Sequence, residues 1–183
     1  MPSLETVFLD RDGTINIKAP EGAYISAPDQ LVLLPGAAAA IRHLNSRGVR
    51  VLVVTNQRGI ARGLMTHTDL DRIHRRLVGL LSQQRARLDS IYVCPHERDQ
   101  CFCRKPLPGL VYEAIRRQPD IQLATAAVIG DADSDVALGR RLGIKTVRIV
   151  DDQFCAASAD HTSPDLLSAV TWLLEQSSAH EDE

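Results

Sequence analysis

Two rhythms of apolar positions alternate along the chain. Short, nearly unbroken apolar runs occur at Thr6–Asp10 (TVFLD), Val49–Asn56 (VRVLVVTN), Ser90–Val93 (SIYV), Thr125–Gly130 (TAAVIG) and Lys145–Val150 (KTVRIV), and they predict buried strands. Between them, apolar residues recur every three or four positions, which predicts helices. One helix follows Pro35 and stops at Gly48. A longer one is capped by Thr66 and carries Leu70, Ile73, Leu77, Leu80 and Leu81 on a single face. Further helices are predicted over Pro108–Gln118, over Asp135–Gly143 with Gly143 closing it, and over Ser163–Gln176 with Ser163 as cap and Pro164 in the first turn. Five alternations of strand and helix predict an α/β, Rossmann-like three-layer sandwich with a mainly parallel sheet. Residues 1–176 are expected to form one domain without a large cap, and 177–183 a flexible tail.

Composition adds few constraints. The chain has 183 residues and a formal net charge of -2, so nothing points to a nucleic-acid or anionic-membrane partner. No basic segment followed by an apolar run opens the sequence, and no stretch approaches the ~18 apolar residues of a membrane span. A cytoplasmic protein is expected, monomeric or a small homo-oligomer, acting on a small molecule.

In sheets of this kind ligands sit outside the carboxyl ends of the strands. Three predicted strands end in polar groups: Asp10, Asp12, Gly13 and Thr14 after the first, Thr55, Asn56 and Gln57 at the second, Asp131, Asp133 and Asp135 after the fourth. Carboxylates gathered at one sheet edge need a cation, and Mg²⁺ with a substrate phosphate is the natural one. Lys105 adds a positive charge from a fourth connection. Asp135 is placed to orient Lys105 or the metal shell, whereas Asp133 suits a helix cap equally well.

These groups suggest phosphoryl transfer. A carboxylate approaching a phosphate monoester meets a repulsion of about 5 kcal/mol per charge pair at ~3 Å and an effective dielectric of ~20. Mg²⁺ and Lys105 would offset it. Asp10 would be the nucleophile, and Asp12, two residues on, the acid and base. Gly13 would let the backbone come close, while the Thr55 hydroxyl would bind phosphoryl oxygens.

The stretch CPHERDQCFC places Cys94, His96, Cys101 and Cys103 together. Three thiolates and one imidazole complete a tetrahedral set for Zn²⁺ and leave no position for water, so a structural zinc loop over 94–103 is expected. It would fix Arg104 and Lys105 at its exit. Cys155 is read as a lone structural thiol, and His43, His67, His74, His161 and His180 as surface or capping residues. The short gap from Asp10 to Thr55 leaves no room for a large lid, so Asn16–Asp29 and the zinc loop should wall the pocket.

The order DRDGT, TN, K, GDADSD resembles the haloacid dehalogenase-like phosphatases over residues 8 to about 150. FLDRDGTIN, VVTNQRGIARG, CPH with CFCRKPLPG, and GD look more narrowly like the D-glycero-D-manno-heptose 1,7-bisphosphate 7-phosphatases, with histidinol-phosphate phosphatases as near relatives. The resemblance implies Mg²⁺ on Asp10, Asp131 and the carbonyl of Asp12. It also implies substrate contacts from Arg104 and Lys105, from Thr55 to Arg58 (including Asn56 and Gln57), and from Arg62 in the GIARG run. Two departures stand out: Ala132 replaces a basic residue, and the His96–Cys101 loop is short. A phosphoaspartate receiver domain also combines a parallel sheet with an Asp, a Thr and a Lys, but its acceptor lies on a later strand.

Overall fold

The computed structural model describes residues 3–150 and 159–178. Six strands pair in parallel: β1 (Thr6–Leu9), β2 (Arg50–Asn56), β3 (Ser90–Cys94), β4 (Ala126–Gly130), β5 (Lys145–Ile149) and β6 (His161–Ser163). Their order across the sheet is β3-β2-β1-β4-β5-β6. The winding direction reverses between β1 and β4, so the ligand crevice opens over the carboxyl ends of those two strands.

Alternation along each strand divides the core between two faces. Val7, Leu9, Val51, Val53, Ala127 and Ile129 pack against α1 (Ala37–Ser46), α2 (His67–Gln83) and α5 (Leu166–Ser178). Phe8, Leu52, Val54 and Val128 pack against α3 (Gly109–Arg117) and α4 (Asp133–Leu142). The face of α2 formed by Leu70, Ile73, Leu77 and Leu81 is buried, each side chain contributing on the order of 2 kcal/mol. Thr66 caps this helix as expected: its Oγ1 accepts the Asp69 N–H at 3.1 Å, and Asp69 Oδ2 accepts the Thr66 N–H at 3.0 Å.

Two helix starts differ from expectation. Ser163 ends a sixth strand that the pattern did not predict, and Asp165 instead serves α5, accepting the Ser168 N–H at 2.7 Å. That strand has only three residues, too few to form a readable apolar run. On α4, Asp133 is the first helical residue and pairs with Arg148 at the surface, while Asp135 returns to accept the Ala132 N–H at 3.2 Å. Helix α5 continues through Ser177 and Ser178, which were expected in the tail. Cys155, His180 and the rest of that tail lie outside the described residues.

Candidate active site

The turn after β1 is built around Arg11, a fully buried arginine. Its guanidinium grips the Asp12 carboxylate from Nη2 at 2.8 and 2.9 Å and from Nε at 3.1 Å. Asn16 Nδ2 and Gln57 Nε2 add hydrogen bonds to Asp12, each of 2.9 Å. Burial alone would raise the Asp12 pKa, but Arg11 with the Asn16 and Gln57 amides outweighs it and holds the carboxyl below its ordinary value. Arg11 Nη1 also lies 3.1 Å from His74 Nε2 on α2. A guanidinium only donates, so His74 accepts here and carries its proton on Nδ1. His74 is therefore part of the support of the site, not the surface residue expected.

Asp10 sits one residue past β1. Its Oδ1 accepts the Arg11 N–H at 2.7 Å and lies 2.8 Å from Lys105 Nζ. The same ammonium lies 2.6 Å from Asp135 Oδ1, so one buried cation joins a carboxylate from the turn after β1 to one in the first turn of α4. Burial opposes the charge on Lys105, yet Asp10 and Asp135 overcome it and push its pKa up to about 12. Asp135 itself is pushed up to about 6, by burial first and then by Asp10 against the pull of Lys105. Asp135 thus orients Lys105.

Lys105 is placed through its backbone as much as its side chain. Asn56 Oδ1 accepts the Lys105 N–H at 3.0 Å, and Asn56 Nδ2 donates to the Lys105 carbonyl at 3.2 Å. Asn56 pairs in register with Cys94 at the end of β3, which ties this clamp to the start of the cysteine loop. The peptide between Lys105 and Pro106 is cis.

Asp131 follows β4 and faces Gly13. A Cβ on Gly13 would come within 2.5 Å of Asp131 Oδ2, and the φ of +85° is itself one that a side chain disfavours. The expected substrate role of Gly13 is thus better described as making room for Asp131. Lys18, which the sequence pattern did not single out, donates to Asp131 Oδ2 at 2.7 Å. Burial, with Asp10 adding to it, raises the Asp131 pKa against the pull of Lys18.

The donors suit Mg²⁺. One oxygen each of Asp10, Asp131 and Asp135 lies within 4.8 Å of the others, and Asp131 Oδ1 is buried without a hydrogen-bond partner. Hard carboxylate oxygens with nothing to satisfy them are what this ion takes. Asp135 is committed to Lys105, and the Asp12 carboxylate to Arg11, Asn16 and Gln57. Asp131 Oδ1 remains free to take the ion, beside an Asp10 carboxylate whose Oδ1 meets Lys105 and the Arg11 N–H.

A cavity of about 400 Å³ opens over Asp10, Asp12 and Lys105. Its walls are the segment from Lys18 to Ile25 and, from the cysteine loop and its exit, Arg98 and Arg104. The expected pocket wall is in place. Thr55 and Asn56 reach the same cavity, but Gln57 does not line it; the Gln57 amide is spent on Asp12 and, at 3.0 Å, on Thr55 Oγ1. Arg58 pairs with Glu97 of the cysteine loop, and Arg62 is exposed outside the cavity. For these residues the local position was readable and the side-chain partner was not, because each partner comes from another part of the chain.

Cys94, His96, Cys101 and Cys103 converge as their spacing predicts. Cys94 Sγ lies 3.6 Å from Cys101 Sγ and 3.7 Å from His96 Nδ1, which is 3.2 Å from Cys103 Sγ. Ligands about 2.1–2.3 Å from a tetrahedral ion stand about 3.5–3.8 Å apart, so the four can hold one metal ion. Burial pushes the Cys94 and Cys103 thiols above their ordinary range, a cost that a bound cation removes. Gly109 lets α3 close onto this loop: a Cβ there would be 2.4 Å from the Phe102 carbonyl.

Residues 4–143 match the family described as haloacid dehalogenase-like hydrolase. The chain belongs to the haloacid dehalogenase-like hydrolases. Within this family it is 43% identical over 137 residues to a D-glycero-alpha-D-manno-heptose-1,7-bisphosphate 7-phosphatase of Mycobacterium bovis, covering 74% of this chain and 72% of the relative. It is 37% identical over 155 residues to a D-glycero-beta-D-manno-heptose-1,7-bisphosphate 7-phosphatase of Rhodopseudomonas palustris, covering 80% and 84%. The crystal structure of D,D-heptose 1,7-bisphosphate phosphatase from B. bronchiseptica, complexed with magnesium and phosphate, superposes with a TM-score of 0.85 at 31% identity, covering 94% of this chain and 99% of that one. Among the described residues no helix is long and apolar enough to cross a membrane.

Proposed function

We propose that this hydrolase removes the 7-phosphate of D-glycero-D-manno-heptose 1,7-bisphosphate through a phosphoryl group carried on Asp10. The observation that carries the reading is Lys105 held at 2.8 Å from Asp10 and 2.6 Å from Asp135, beside a pinned Asp12 and at the crevice between β1 and β4. The names borne by its relatives supply the sugar.

In the first step an Asp10 oxygen attacks phosphorus, and the bond from phosphorus to the C7 oxygen breaks. The Asp12 carboxyl gives its proton to the departing oxygen. The dianionic phosphate arriving beside Asp12 favours that proton, offsetting the influence of Arg11. In the second step the Asp12 carboxylate takes a proton from water, which attacks phosphorus and releases Asp10. Lys105 and Thr55 hold phosphoryl oxygens in line, and Arg104 binds from the loop exit. Mg²⁺, held by Asp10, Asp131 and the Asp12 carbonyl, would neutralise phosphate charge.

Zn²⁺ on Cys94, His96, Cys101 and Cys103 would be structural, since four protein ligands close its shell. Its effect on chemistry is positional, through Arg104 and Lys105.

Phosphate release tests this reading, with both anomers of heptose 1,7-bisphosphate and with histidinol phosphate, with and without Mg²⁺. The heptose should be preferred by more than about tenfold in kcat/KM, and only with Mg²⁺. Comparable turnover of histidinol phosphate would contradict the sugar assignment.

A further inference from the structure

We infer that Lys18 sets how tightly the catalytic site holds its divalent cation, because its ammonium competes with the ion for Asp131 and keeps the ion exchangeable. The inference rests on the Mg²⁺ site proposed above and adds to it a residue that is not a ligand.

The chain around Lys18 fixes where the side chain starts. Asn16 Nδ2 donates to Asp12 Oδ1 at 2.9 Å and to the Ile17 carbonyl at 2.8 Å, and the Ile17 N–H donates to the Val32 carbonyl at 2.9 Å. The backbone is thus held immediately before Lys18. From there Nζ reaches to 2.7 Å from Asp131 Oδ2, while Oδ1 of the same carboxylate is buried without a hydrogen-bond partner. One oxygen of Asp131 serves the ammonium, and the other is left for the ion. Lys18 lines both the catalytic cavity and a neighbouring one of about 680 Å³ that Gly13 and Asp131 also line.

The charges around the ion decide the direction of the effect. Asp10, Asp131 and Asp135 bring three negative charges to one cluster, and Lys105 and Lys18 bring two positive ones. Arg11 cancels Asp12. A divalent cation therefore meets a net charge of about -1 with Lys18 in place and about -2 without it. The two lysines differ in what they can give up. Lys105 is buried between Asp10 and Asp135, whereas the Lys18 side chain is 59% exposed and has Asp131 as its one ion-pair partner among the described residues. Solvent screens such a charge, and its flexible stem lets it retreat, so Lys18 weakens the hold on the ion without excluding it.

Mn²⁺ takes the same hard oxygen ligands and tests this without turnover. The EPR signal of free Mn²⁺ is followed as the ion is titrated, in the absence of substrate, into zinc-loaded wild type, Lys18→Arg, Lys18→Gln and Lys18→Glu, and Mg²⁺ competition then gives its own Kd. Lys145→Gln, at the start of β5, controls for net charge. Binding should tighten roughly tenfold in Lys18→Gln and at least as much in Lys18→Glu, and stay within about twofold of wild type in Lys18→Arg and Lys145→Gln. A residue that merely braced Asp131 would loosen the ion when removed. Unchanged or weaker binding in Lys18→Gln, or equal tightening in the control, overturns the inference while leaving the metal site intact. A wild type that binds Mn²⁺ no more tightly than Asp131→Asn overturns the metal site itself.

Discussion

His74 offers a quantitative test of the support beneath Asp12. Burial first, and then the Arg11 guanidinium 3.1 Å away, lower its pKa from 6.5 to about 4 in the folded protein. Between those values the unfolded chain takes up a proton that the folded chain refuses, so stability is lost as pH falls. The contribution is complete above pH 6.5 and gone near pH 4. At about 1.4 kcal/mol per pH unit, the gap amounts to about 3 kcal/mol. His74→Gln keeps an acceptor for Arg11 but removes the titrating proton. Urea unfolding of both proteins at intervals from pH 7 to pH 4 would show it, with wild type losing about 3 kcal/mol more than the variant over that range. Parallel curves would refute the argument, because they would mean that His74 titrates alike in both states and is not held neutral against Arg11.

Other perturbations reach the remaining parts of the site. Lys105→Met leaves Asp10 and Asp135 buried without their cation; a loss of about 3–5 kcal/mol in stability and of all turnover is expected, and a variant melting like wild type would contradict the pairing. Gly13→Ala forces a Cβ to 2.5 Å from Asp131 Oδ2 at a φ of +85°; it should cost about 1–2 kcal/mol and raise the Mg²⁺ concentration for half-maximal activity, read by phosphate release across a metal titration. Chelation should release about one equivalent of zinc per chain, with loss of activity that Mg²⁺ does not restore. A zinc-free, fully active protein would contradict the positional role of the loop.

The fold was legible where one property decided it. The apolar runs of β1, β2 and β4 are long enough to read, and the polar residues ending them fall at one sheet edge because all three strands run parallel. Asp10, Asp131 and Lys105 could therefore be brought together from the sequence, and Cys94, His96, Cys101 and Cys103, which could hold a metal ion, share a short stretch whose spacing carries its own geometry. What stayed hidden depends on distant partners. Arg11 meets His74 from 63 positions away, and Lys18 meets Asp131 from 113 away, with no local pattern to announce either. The one available signal was the arginine set between two carboxylates at a buried strand end, which must find acceptors. Asn56 and Gln57 were expected to meet the substrate; Asn56 lines the cavity and Gln57 does not, and the amide of one clamps the Lys105 backbone while that of the other holds Asp12.

Phosphorus NMR of heptose 1,7-bisphosphate during turnover tests the central claim most directly. The 7-phosphate resonance should disappear as inorganic phosphate grows in, while the anomeric 1-phosphate persists and the reaction stops without Mg²⁺. Loss of the 1-phosphate, or a spectrum unchanged with Mg²⁺ and zinc-loaded protein present, would contradict it.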